Sequence, residues 1–509
     1  MRMSPATSPR RLAISLAVVT LMAVRSAAGQ PAPLDGFDAY VTQAVKDWRV
    51  PGLAVAVVKD DRVVFAKGYG VRRLGSADAV DDRTLFAIGS TTKAMTAAAL
   101  GMLVDEGKLA WDDPVTKHLP WFALADPYVT REVRVRDLLT HRAGVPNTDY
   151  LWYEQDLTTR QIVERLRLAP AETSMRTHFT YQNVMYATAG EVVAAASGMP
   201  WSQFVTKRIF EPLGMTGTIP TAATLAQQPN VAQPHFDIDG TIEVIRNASV
   251  DNVAPAGAVW SSVHDMSEWM RLLLRGGRLP NGGARLLSEA TLAELFSPQT
   301  MVGPDAFYPT MRLTKPHWTT YGLGWFQSDY AGQKVDFHTG SIDGMVAIIG
   351  LVRDRNIGVY VLANLDHAEV RHALMYKAFD MLLGNPPRDW SAELLTLYKG
   401  FADAAAERRK KTESERVGAT KPSLALERYV GTYADPLRGT VVVSMRGGAL
   451  YLEYGRGLVG PLAHWHYDTF RATWDARWRG SELVTFVIDD HGKPATLKIG
   501  GDAFERTKD

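Results

Sequence analysis

The sequence predicts an α+β protein, in which an antiparallel sheet is flanked by helices and a helical subdomain, followed by a small all-β domain. Three observations predict this class. Pairs of apolar strand-like segments lie near both ends of the first 390 residues, a helix-rich stretch lies between them, and short strands separated by turns fill the C-terminal part. With 509 residues, the chain is long enough for one large domain and at least one smaller one.

The first domain is predicted to extend over residues 34–390. Strand-like segments at both ends of one domain can pair with each other, so we expect a single antiparallel sheet covered by helices, with a helical insertion between its halves. The predicted segments are a helix at 37–48, strands at 53–58 and 63–66 around the turn 59–61, strands at 345–352 and 357–363 around the turn 353–356, and a helix from about 367 to 383.

The chain changes composition after the first domain. Residues 391–421 are predicted to form a charged helical linker, because the stretch from Ala402 to Thr420 is rich in Ala, Arg, Lys and Glu and lacks an apolar face. We interpret the basic run 408–411 as part of a solvated connector. Residues 422–509 carry short strands paired across Gly-containing turns, and these predict a small β-barrel-like domain.

The N-terminus has the order of a secretory signal peptide. Arg10-Arg11 precede an apolar run from Leu12 to Val24, and small residues follow before Gln30. We therefore predict a signal peptide at residues 1–29 and a periplasmic or secreted protein with no stable membrane anchor after cleavage. The apolar run is shorter than the roughly 20 residues that span a bilayer, and an uncleaved anchor is the alternative.

Composition excludes several classes of function. The 56 basic and 55 acidic residues give a net charge of +1, which favours neither nucleic acid nor an anionic membrane as partner. We expect a small-molecule or peptide substrate and no nucleic acid, whereas the oligomeric state stays open. The absence of cysteine excludes disulfides, a thiolate nucleophile and iron–sulfur clusters. Nucleotide-binding, zinc-peptidase and G-x-S-x-G motifs are missing, and we expect no cofactor and no metal.

Ser90 and Lys93 form an S-x-x-K pair at the head of an apolar helix that runs to Val104 and ends at Gly107. Three residues apart on a helix, the two side chains share one face at about 5–6 Å. A serine hydroxyl needs a neighbour to take its proton, and burial lowers the pKa of a lysine until the amine can be that base. The motif alone is weak, because about one or two matches are expected by chance in a chain of this length.

Two further motifs strengthen this interpretation. Tyr181-Gln182-Asn183 lies in a turn before an apolar segment, where the tyrosine could relay the serine proton, although a buried tyrosine is more often a core residue. His338-Thr339-Gly340 precedes a buried strand, and Gly340 and Gly344 permit close backbone approach, although a lone histidine is more often structural.

Two other clusters carry weaker indications. Tyr150, Trp152 and Tyr153 could cap an acyl pocket, with core packing as the alternative. His464 and His466 would share one face of a strand and could bind a metal, but no matching third ligand accompanies them.

The three motifs at Ser90/Lys93, Tyr181/Asn183 and 338–340 resemble, in order and separation, those of class C β-lactamases and their relatives. These relatives include esterases, D-amino-acid peptidases and D-alanyl-D-alanine carboxypeptidases. The resemblance covers about residues 36–383 and implies the serine β-lactamase-like fold. Other stretches similar to this family are 138–144, 255–257, 261–266 and 321–325. The tail, with 429–433 and 464–468, is similar to a lipocalin-like domain that is often appended to such hydrolases.

The resemblance implies a role for each motif. Ser90 would attack a carbonyl, and Lys93 and Tyr181 would share the removal of its proton and the return of that proton to the leaving group. The backbone N–H groups of Ser90 and Ser341 would form the oxyanion hole, and Asn183 would orient the substrate. The implied substrate-binding residues are Asn183, Thr339, Gly340 and Ser341.

The sequence departs from the family in two ways. It has no S-D-N motif, so the tyrosine-bearing class C-like arrangement is implied. His338 replaces the usual lysine of the third motif, and we interpret it as a catalytic neutral imidazole in the proton network of Lys93 and Tyr181.

A β-lactam carboxylate would need a fixed cation, which His338 does not supply near neutral pH. We therefore expect a serine hydrolase that acts on ester or amide bonds of small molecules or D-amino-acid-containing peptides. A class C-like β-lactamase or D-alanyl-D-alanine carboxypeptidase is the alternative among enzymes, and a non-catalytic envelope-binding protein is the alternative from another class.

Overall fold

The computed structural model describes residues 34–507, and the predicted signal peptide lies outside the described residues. In chain order, the strands of the first domain are β1 (Gly52–Lys59), β2 (Arg62–Gly70), β3 (Phe86–Ala87), β4 (His235–Ile238), β5 (Thr241–Val244), β6 (Trp260–Ser261), β7 (Thr300–Met301), β8 (Thr319–Tyr321), β9 (Phe326–Tyr330), β10 (Gln333–Ile342), β11 (Met345–Val352) and β12 (Ile357–Ala363).

A large antiparallel sheet has the strand order β2-β1-β12-β11-β10-β9-β8-β7, and β3–β6 and β4–β5 form two small separate pairs. Strand β1 lies beside β12, with Leu53 opposite Ala363, so the two ends of the domain meet in one sheet. This confirms the predicted closure. The insertion between β2 and β7 contributes most of the helices.

The helices are α1 (Phe37–Asp47), α2 (Thr92–Asp105), α3 (Val115–His118), α4 (Pro127–Glu132), α5 (Thr159–Arg165), α6 (Asn183–Ser197), α7 (Trp201–Val205), α8 (Glu211–Leu213), α9 (Ala254–Gly257), α10 (Val263–Leu274), α11 (Glu289–Leu295), α12 (Met311–Thr314), α13 (Val370–Leu383) and α14 (Trp390–Ser414). Their starts follow local chemistry. Thr158, for example, caps α5 by accepting from the Gln161 amide, while the Gln161 side chain accepts from the Thr158 amide.

Both faces of the sheet are buried at strands β1, β11 and β12, which explains why these strands are continuously apolar, whereas the edge strand β2 is mostly exposed. Alternate residues of β1 enter different cores. Ala54 and Ala56 belong to the core formed with the insertion helices, on the side where β1 contacts α10, whereas Leu53 and Val55 belong to the core that includes residues of α1 and α13. Helix α2 is buried on all sides from Thr92 to Leu103, as its apolar composition predicts.

Helix α14 lies in the segment for which the sequence predicts a helical connector. It begins at Trp390, whose indole is buried and stacks on Tyr376 with ring centroids 4.8 Å apart. Its later turns are exposed, as the charged composition indicates. Near its end, Glu413 pairs with Arg471 of the following domain. The helix therefore starts in the core of the first domain and reaches the second.

The C-terminal domain is a closed antiparallel barrel in which consecutive strands are neighbours. Its strands are β13 (Gly431–Asp435), β14 (Gly439–Arg446), β15 (Ala449–Tyr454), β16 (Leu458–His466), β17 (Thr469–Thr473), β18 (Ser481–Ile488), β19 (Pro494–Ile499) and β20 (Asp502–Arg506). Pairing of Tyr433 with Arg506 closes the barrel and removes its free edges. This confirms the predicted all-β domain. In the part of the chain from 34 to 507, we find no helix apolar and long enough to cross a bilayer.

Candidate active site

Ser90 and Lys93 lie where the sheet meets the insertion. Ser90 belongs to a single 3₁₀ turn, Gly89–Thr91, which leads directly into α2, and Lys93 lies in the first turn of α2. The Lys93 amine Nζ is 2.9 Å from the Ser90 hydroxyl Oγ. The spacing in the sequence thus brings the two groups into hydrogen-bonding distance, and Ser90 stays partly exposed while Lys93 is fully buried.

The Lys93 amine has two other hydrogen-bond partners. It donates to Asn183 Oδ1 at 2.7 Å and to the Ala256 carbonyl oxygen at 2.9 Å. Burial lowers the pKa of Lys93 to about 7, and the negative charge of Asp149 opposes this shift. The amine is therefore readily neutral near physiological pH.

Asn183, the first residue of α6, connects Lys93 to Asp149. Its Nδ2 donates to Asp149 Oδ1 at 2.9 Å, which turns Oδ1 of the same amide toward Lys93. Asp149 also accepts from the Trp152 indole nitrogen at 2.8 Å. Asn183 borders the cavity in front of Ser90 and also positions the lysine, and its role in substrate binding stays a prediction.

Tyr181 lies beside Ser90, and His141 supports it from behind. The His141 ring stacks on the Tyr181 ring at 4.3 Å, and His141 Nδ1 accepts a hydrogen bond from the Gln182 amide at 2.9 Å. Burial raises the pKa of Tyr181 well above its usual value, while a hydrogen bond with Ser90 opposes the rise. Tyr181 therefore keeps its proton at neutral pH.

The third motif lies within β10, opposite β11. Because side chains alternate along a strand, Thr339 and Ser341 border the cavity whereas His338 is buried behind them. A methyl group on Gly340 would lie 1.9 Å from the Ile88 carbonyl oxygen and 3.0 Å from the Ser90 amide nitrogen. Glycine thus permits the predicted close approach of β10 to the turn that carries Ser90. The backbone amides of Ser90 and Ser341 therefore lie on two adjacent segments of the chain.

His338 is a buried, neutral imidazole. Its Nδ1 donates to the Thr339 carbonyl oxygen at 2.6 Å, so Nε2 accepts from the Tyr321 hydroxyl at 3.0 Å. Burial lowers its pKa to about 3, and the nearby Lys93 lowers it further. The imidazole makes its hydrogen bonds with Thr339 and Tyr321 rather than with Lys93 or Tyr181, so its part in the proton network stays a prediction.

A cavity of about 530 Å³ opens in front of Ser90. Six of its fourteen lining residues are aromatic, and Asp149 and Asp305 add acidic groups; among the residues that the structure describes, no lysine or arginine lines it. The cavity therefore offers no cation to a substrate carboxylate. The lining residues are Ser90, Asp149, Trp152, Phe179, Tyr181, Asn183, Asp305, Ala306, Phe307, Tyr308, Pro309, Phe326, Thr339 and Ser341.

The structure also locates the aromatic cluster at 150–153 and the histidine pair His464 and His466. Trp152 borders the cavity, whereas Tyr150 lies under the Arg438 guanidinium of the barrel. His464 Nε2 donates to the Tyr467 carbonyl oxygen. Within residues 34–507, no group of three or more His, Asp or Glu side chains is arranged to hold a metal ion.

A family model described as Beta-lactamase matches residues 37–379, which is more than half of the chain and includes every residue of this site. The chain belongs to the Beta-lactamase family. A second model, described as a domain of unknown function, matches residues 415–507 and so contains the barrel.

Relatives of this Beta-lactamase family member include an unguisins hydrolase, ungD, of Aspergillus violaceofuscus. It is 31% identical over 511 residues, which cover 92% of this chain and 88% of the relative. Protein flp of Staphylococcus aureus is 24% identical over 344 residues, which cover 65% of this chain and 62% of the relative. The chain is a serine hydrolase of the β-lactamase-related family.

Solved structures share the fold. The octameric penicillin-binding protein homologue from Pyrococcus abyssi has a TM-score of 0.60 at 22% identity, over 92% of this chain and 99% of that one. A D-stereospecific amidohydrolase from Streptomyces sp. has a TM-score of 0.55 at 23% identity, over 67% of this chain and 98% of that one. The second similarity is restricted to about two thirds of the present chain.

One further contact of this Beta-lactamase family site was not predicted. Arg371, in α13, donates to the Gly340 carbonyl oxygen at 2.6 Å and to Ser341 Oγ at 3.0 Å. Its buried guanidinium pairs with Glu369 at 2.9 Å, and Arg371 holds the pKa of that carboxyl well below its usual range despite burial. A single arginine within an apolar helix indicates a buried partner, but the sequence does not say which one.

Proposed function

We propose that this protein hydrolyses ester or amide bonds of small molecules or D-amino-acid-containing peptides through an acyl-enzyme on Ser90. The observation that carries this proposal is the set of partners around the Lys93 amine. Asn183 Oδ1 and the Ala256 carbonyl can only accept hydrogen bonds, whereas the Ser90 hydroxyl can also donate. A neutral Lys93 therefore donates its two hydrogens to Asn183 and Ala256 and turns its lone pair toward Ser90.

The proposed reaction follows from that arrangement. Ser90 Oγ bonds to the substrate carbonyl carbon while its proton passes to Lys93 Nζ. The negative charge that forms on the carbonyl oxygen is stabilised by the N–H groups of Ser90 and Ser341. Collapse of the intermediate expels the leaving group, which receives a proton from Lys93 through Tyr181. Water then attacks the Ser90 ester, releases the acid and restores the hydroxyl.

The character of the cavity supports the substrate class. Its aromatic wall suits an uncharged acyl or side-chain group, and Asp149 and Asp305 disfavour a substrate carboxylate. β-Lactams and D-alanyl-D-alanine peptides carry such carboxylates. The D-stereospecific amidohydrolase named above is consistent with amide substrates, and the unguisins hydrolase is consistent with a hydrolytic reaction.

The proposal is tested by a hydrolysis screen of the purified protein. Short p-nitrophenyl esters, D-amino-acid peptide amides and a chromogenic cephalosporin are compared side by side, with Ser90→Ala as the matched control. We expect turnover of esters or D-peptide amides, and labelling by a fluorophosphonate, that both disappear in Ser90→Ala because the nucleophile is lost.

Three results would contradict the proposal. Faster turnover of the cephalosporin than of the esters and amides would favour a β-lactamase. Absence of turnover and of labelling would favour the non-catalytic envelope-binding alternative. Labelling that persists in Ser90→Ala would show that the nucleophile is a different serine.

We further propose that the protein acts outside the cytoplasm, in the periplasm or after secretion. The support is the charged, apolar and small-residue order of residues 1–29. Fractionation of cells that express the full chain, followed by N-terminal sequencing of the mature form, tests this. A cytoplasmic protein with an intact N-terminus would contradict it.

A further inference from the structure

We infer that the cavity between the first domain and the barrel is a second substrate subsite, which receives a bulky aromatic or apolar part of the substrate without negative charge. The inference rests on the proposed function, because it assumes a substrate that is bound at Ser90. It also gives a role to the barrel, whose matching family model is described only as a domain of unknown function.

The position of this interdomain cavity links it to catalysis. It has a volume of about 630 Å³ and shares Trp152 and Ser341 with the cavity in front of Ser90. Ser341 supplies one of the two amides of the proposed oxyanion hole, so a substrate that reacts at Ser90 has a second cavity directly beside its reacting carbonyl. The volume lies in the range of known small-ligand pockets, roughly 300–1,000 Å³.

Both domains build the wall of the interdomain cavity. The first domain contributes Phe236 and Val250, and the barrel contributes the large apolar side chains Leu458, Trp474 and Ile499. A wall of this composition stabilises an aromatic or aliphatic group by removing it from water, at about 25 cal/mol for each Å² of apolar surface. The barrel therefore supplies half of a site that neither domain could form alone.

A network of buried polar contacts holds the two halves together. Arg479 of the barrel is only 6% exposed and pairs with Glu154 at 2.8 Å and with Asp343 at 3.0 Å. Asp343 also accepts from the Tyr153 hydroxyl at 2.6 Å and from the Trp478 indole nitrogen at 3.2 Å. Because these contacts join protein side chains to one another, they fix the two halves relative to each other, which limits the ordering cost of substrate binding.

The charges around the interdomain cavity determine which groups it accepts. Arg479 is the single lysine or arginine among the described residues that line it, and two carboxylates already neutralise it. Glu482 adds a further acidic group to the wall, as do Asp366, which lies 3.3 Å from His367 Nε2, and Asp502, which pairs with Arg438. A substrate carboxylate would be repelled there, whereas a neutral or positively charged apolar group would be accepted.

The test uses the full-length protein and two probes of matched shape. Phenylbutylamine and phenylbutanoate carry the same apolar chain with opposite charges, and their binding is measured by isothermal titration calorimetry. Leu458→Trp and Ile499→Trp fill the cavity from the barrel side. Val442→Trp, at a barrel position that is 39% exposed, adds the same indole elsewhere on the barrel and is the matched control.

We expect phenylbutylamine to bind more tightly than phenylbutanoate, and each filling variant to weaken that binding by about tenfold or more, while Val442→Trp leaves it unchanged. The use of two filling variants keeps the test valid if one fails to fold. In parallel, p-nitrophenyl phenylbutanoate is compared with p-nitrophenyl acetate, and the filling variants should lower the ratio of their kcat/KM values.

Two results overturn the inference: phenylbutylamine does not bind, or its binding and the ester ratio are unchanged in folded filling variants. The failure of the proposed function looks different, because p-nitrophenyl acetate and the other substrates of the screen would then not be hydrolysed by the parent protein at all. Binding of phenylbutylamine that the filling variants abolish would still support the subsite in that case.

Discussion

The guanidinium of Arg371 donates a hydrogen bond to the carbonyl oxygen of Gly340, with 2.6 Å between Nη1 and the oxygen. The same peptide group carries the Ser341 N–H, which we assign to the oxyanion hole. A peptide group is planar, so fixing its carbonyl oxygen also fixes the direction of its N–H. A positive charge at the carbonyl also polarises the amide and makes its N–H a stronger donor.

We therefore predict that Arg371 is a positioning residue. Arg371→Met, combined with Glu369→Gln to avoid an unpaired buried carboxylate, should lower kcat for p-nitrophenyl acetate about 10- to 100-fold with little change in KM, because the oxyanion forms only in the transition state. Arg371→Lys should restore part of kcat. A variant that melts at lower temperature but keeps the parental kcat would show a purely structural role.

The pH dependence of activity should follow Lys93. The amine acts as a base only when it is deprotonated, and burial lowers its pKa to about 7, so kcat/KM should rise with pH and reach its half-maximal value near pH 7. The pKa of His338 is lowered to about 3, so the imidazole should add no step between pH 5 and 8. Rates are measured with p-nitrophenyl acetate after subtraction of the Ser90→Ala background.

Asp149→Asn provides the matched variant for this profile. The charge of Asp149 raises the pKa of Lys93, so its removal should move the rising limb to lower pH, while the amide oxygen can still accept from Asn183 and Trp152. A midpoint that does not move, or that moves to higher pH, would contradict the assignment of Lys93 as the titrating base.

Gly340→Ala should strongly lower activity because the new methyl group would meet backbone rather than a movable side chain. It would lie 1.9 Å from the Ile88 carbonyl oxygen, so β10 or the turn that carries Ser90 must shift. We expect at least about a hundredfold lower kcat/KM. Gly400→Ala, in an exposed helical position with open space around it, is the control and should retain activity. Parental activity in Gly340→Ala would exclude this close approach.

Arg479→Met should loosen the barrel from the first domain. It leaves Asp343 without its cation and Glu154 with only the exposed Arg246, and the loss of such a buried partner typically costs about 2 kcal/mol or more. Trypsin should then cut the exposed segment 408–421 faster than in the parent. Arg446→Met removes an exposed ion pair on the same barrel and should not change the rate. Equal cleavage of all three proteins would show that the Arg479 contacts do not hold the domains.

Local patterns in the sequence predicted much of the fold and the centre of the site. The apolar runs of β1 and β12 predicted strands because both faces of these two central strands are buried. Ser90 and Lys93 were found because one helical turn separates them, so their distance depends only on helix geometry. Tyr181 and Asn183 required the family resemblance, since nothing local connects them with Ser90.

Contacts made by residues far apart in the chain could not be predicted. Arg371 reaches Gly340 across 31 positions, and Asp149 reaches Asn183 across 34, and neither belongs to a recognisable spacing. The sequence pattern also predicted two separate domains and gave no sign that Arg479 and Asp343 pair with each other, which joins the domains beside the active site. Such pairs depend on how the sheet, the insertion and the barrel pack together, which no window of neighbouring residues encodes.

The burial of Lys93 also has a thermodynamic consequence for the whole chain. In the unfolded chain its pKa is near 10.5, whereas in the folded protein it is about 7, so the unfolded chain binds more protons between these values. The free energy of unfolding therefore increases with pH between pH 7 and pH 10.5. The contribution of this one amine over the whole interval is on the order of 5 kcal/mol. Near neutral pH the buried Lys93 therefore destabilises the folded protein, and burial of the two large apolar cores on either side of the sheet must compensate for this cost.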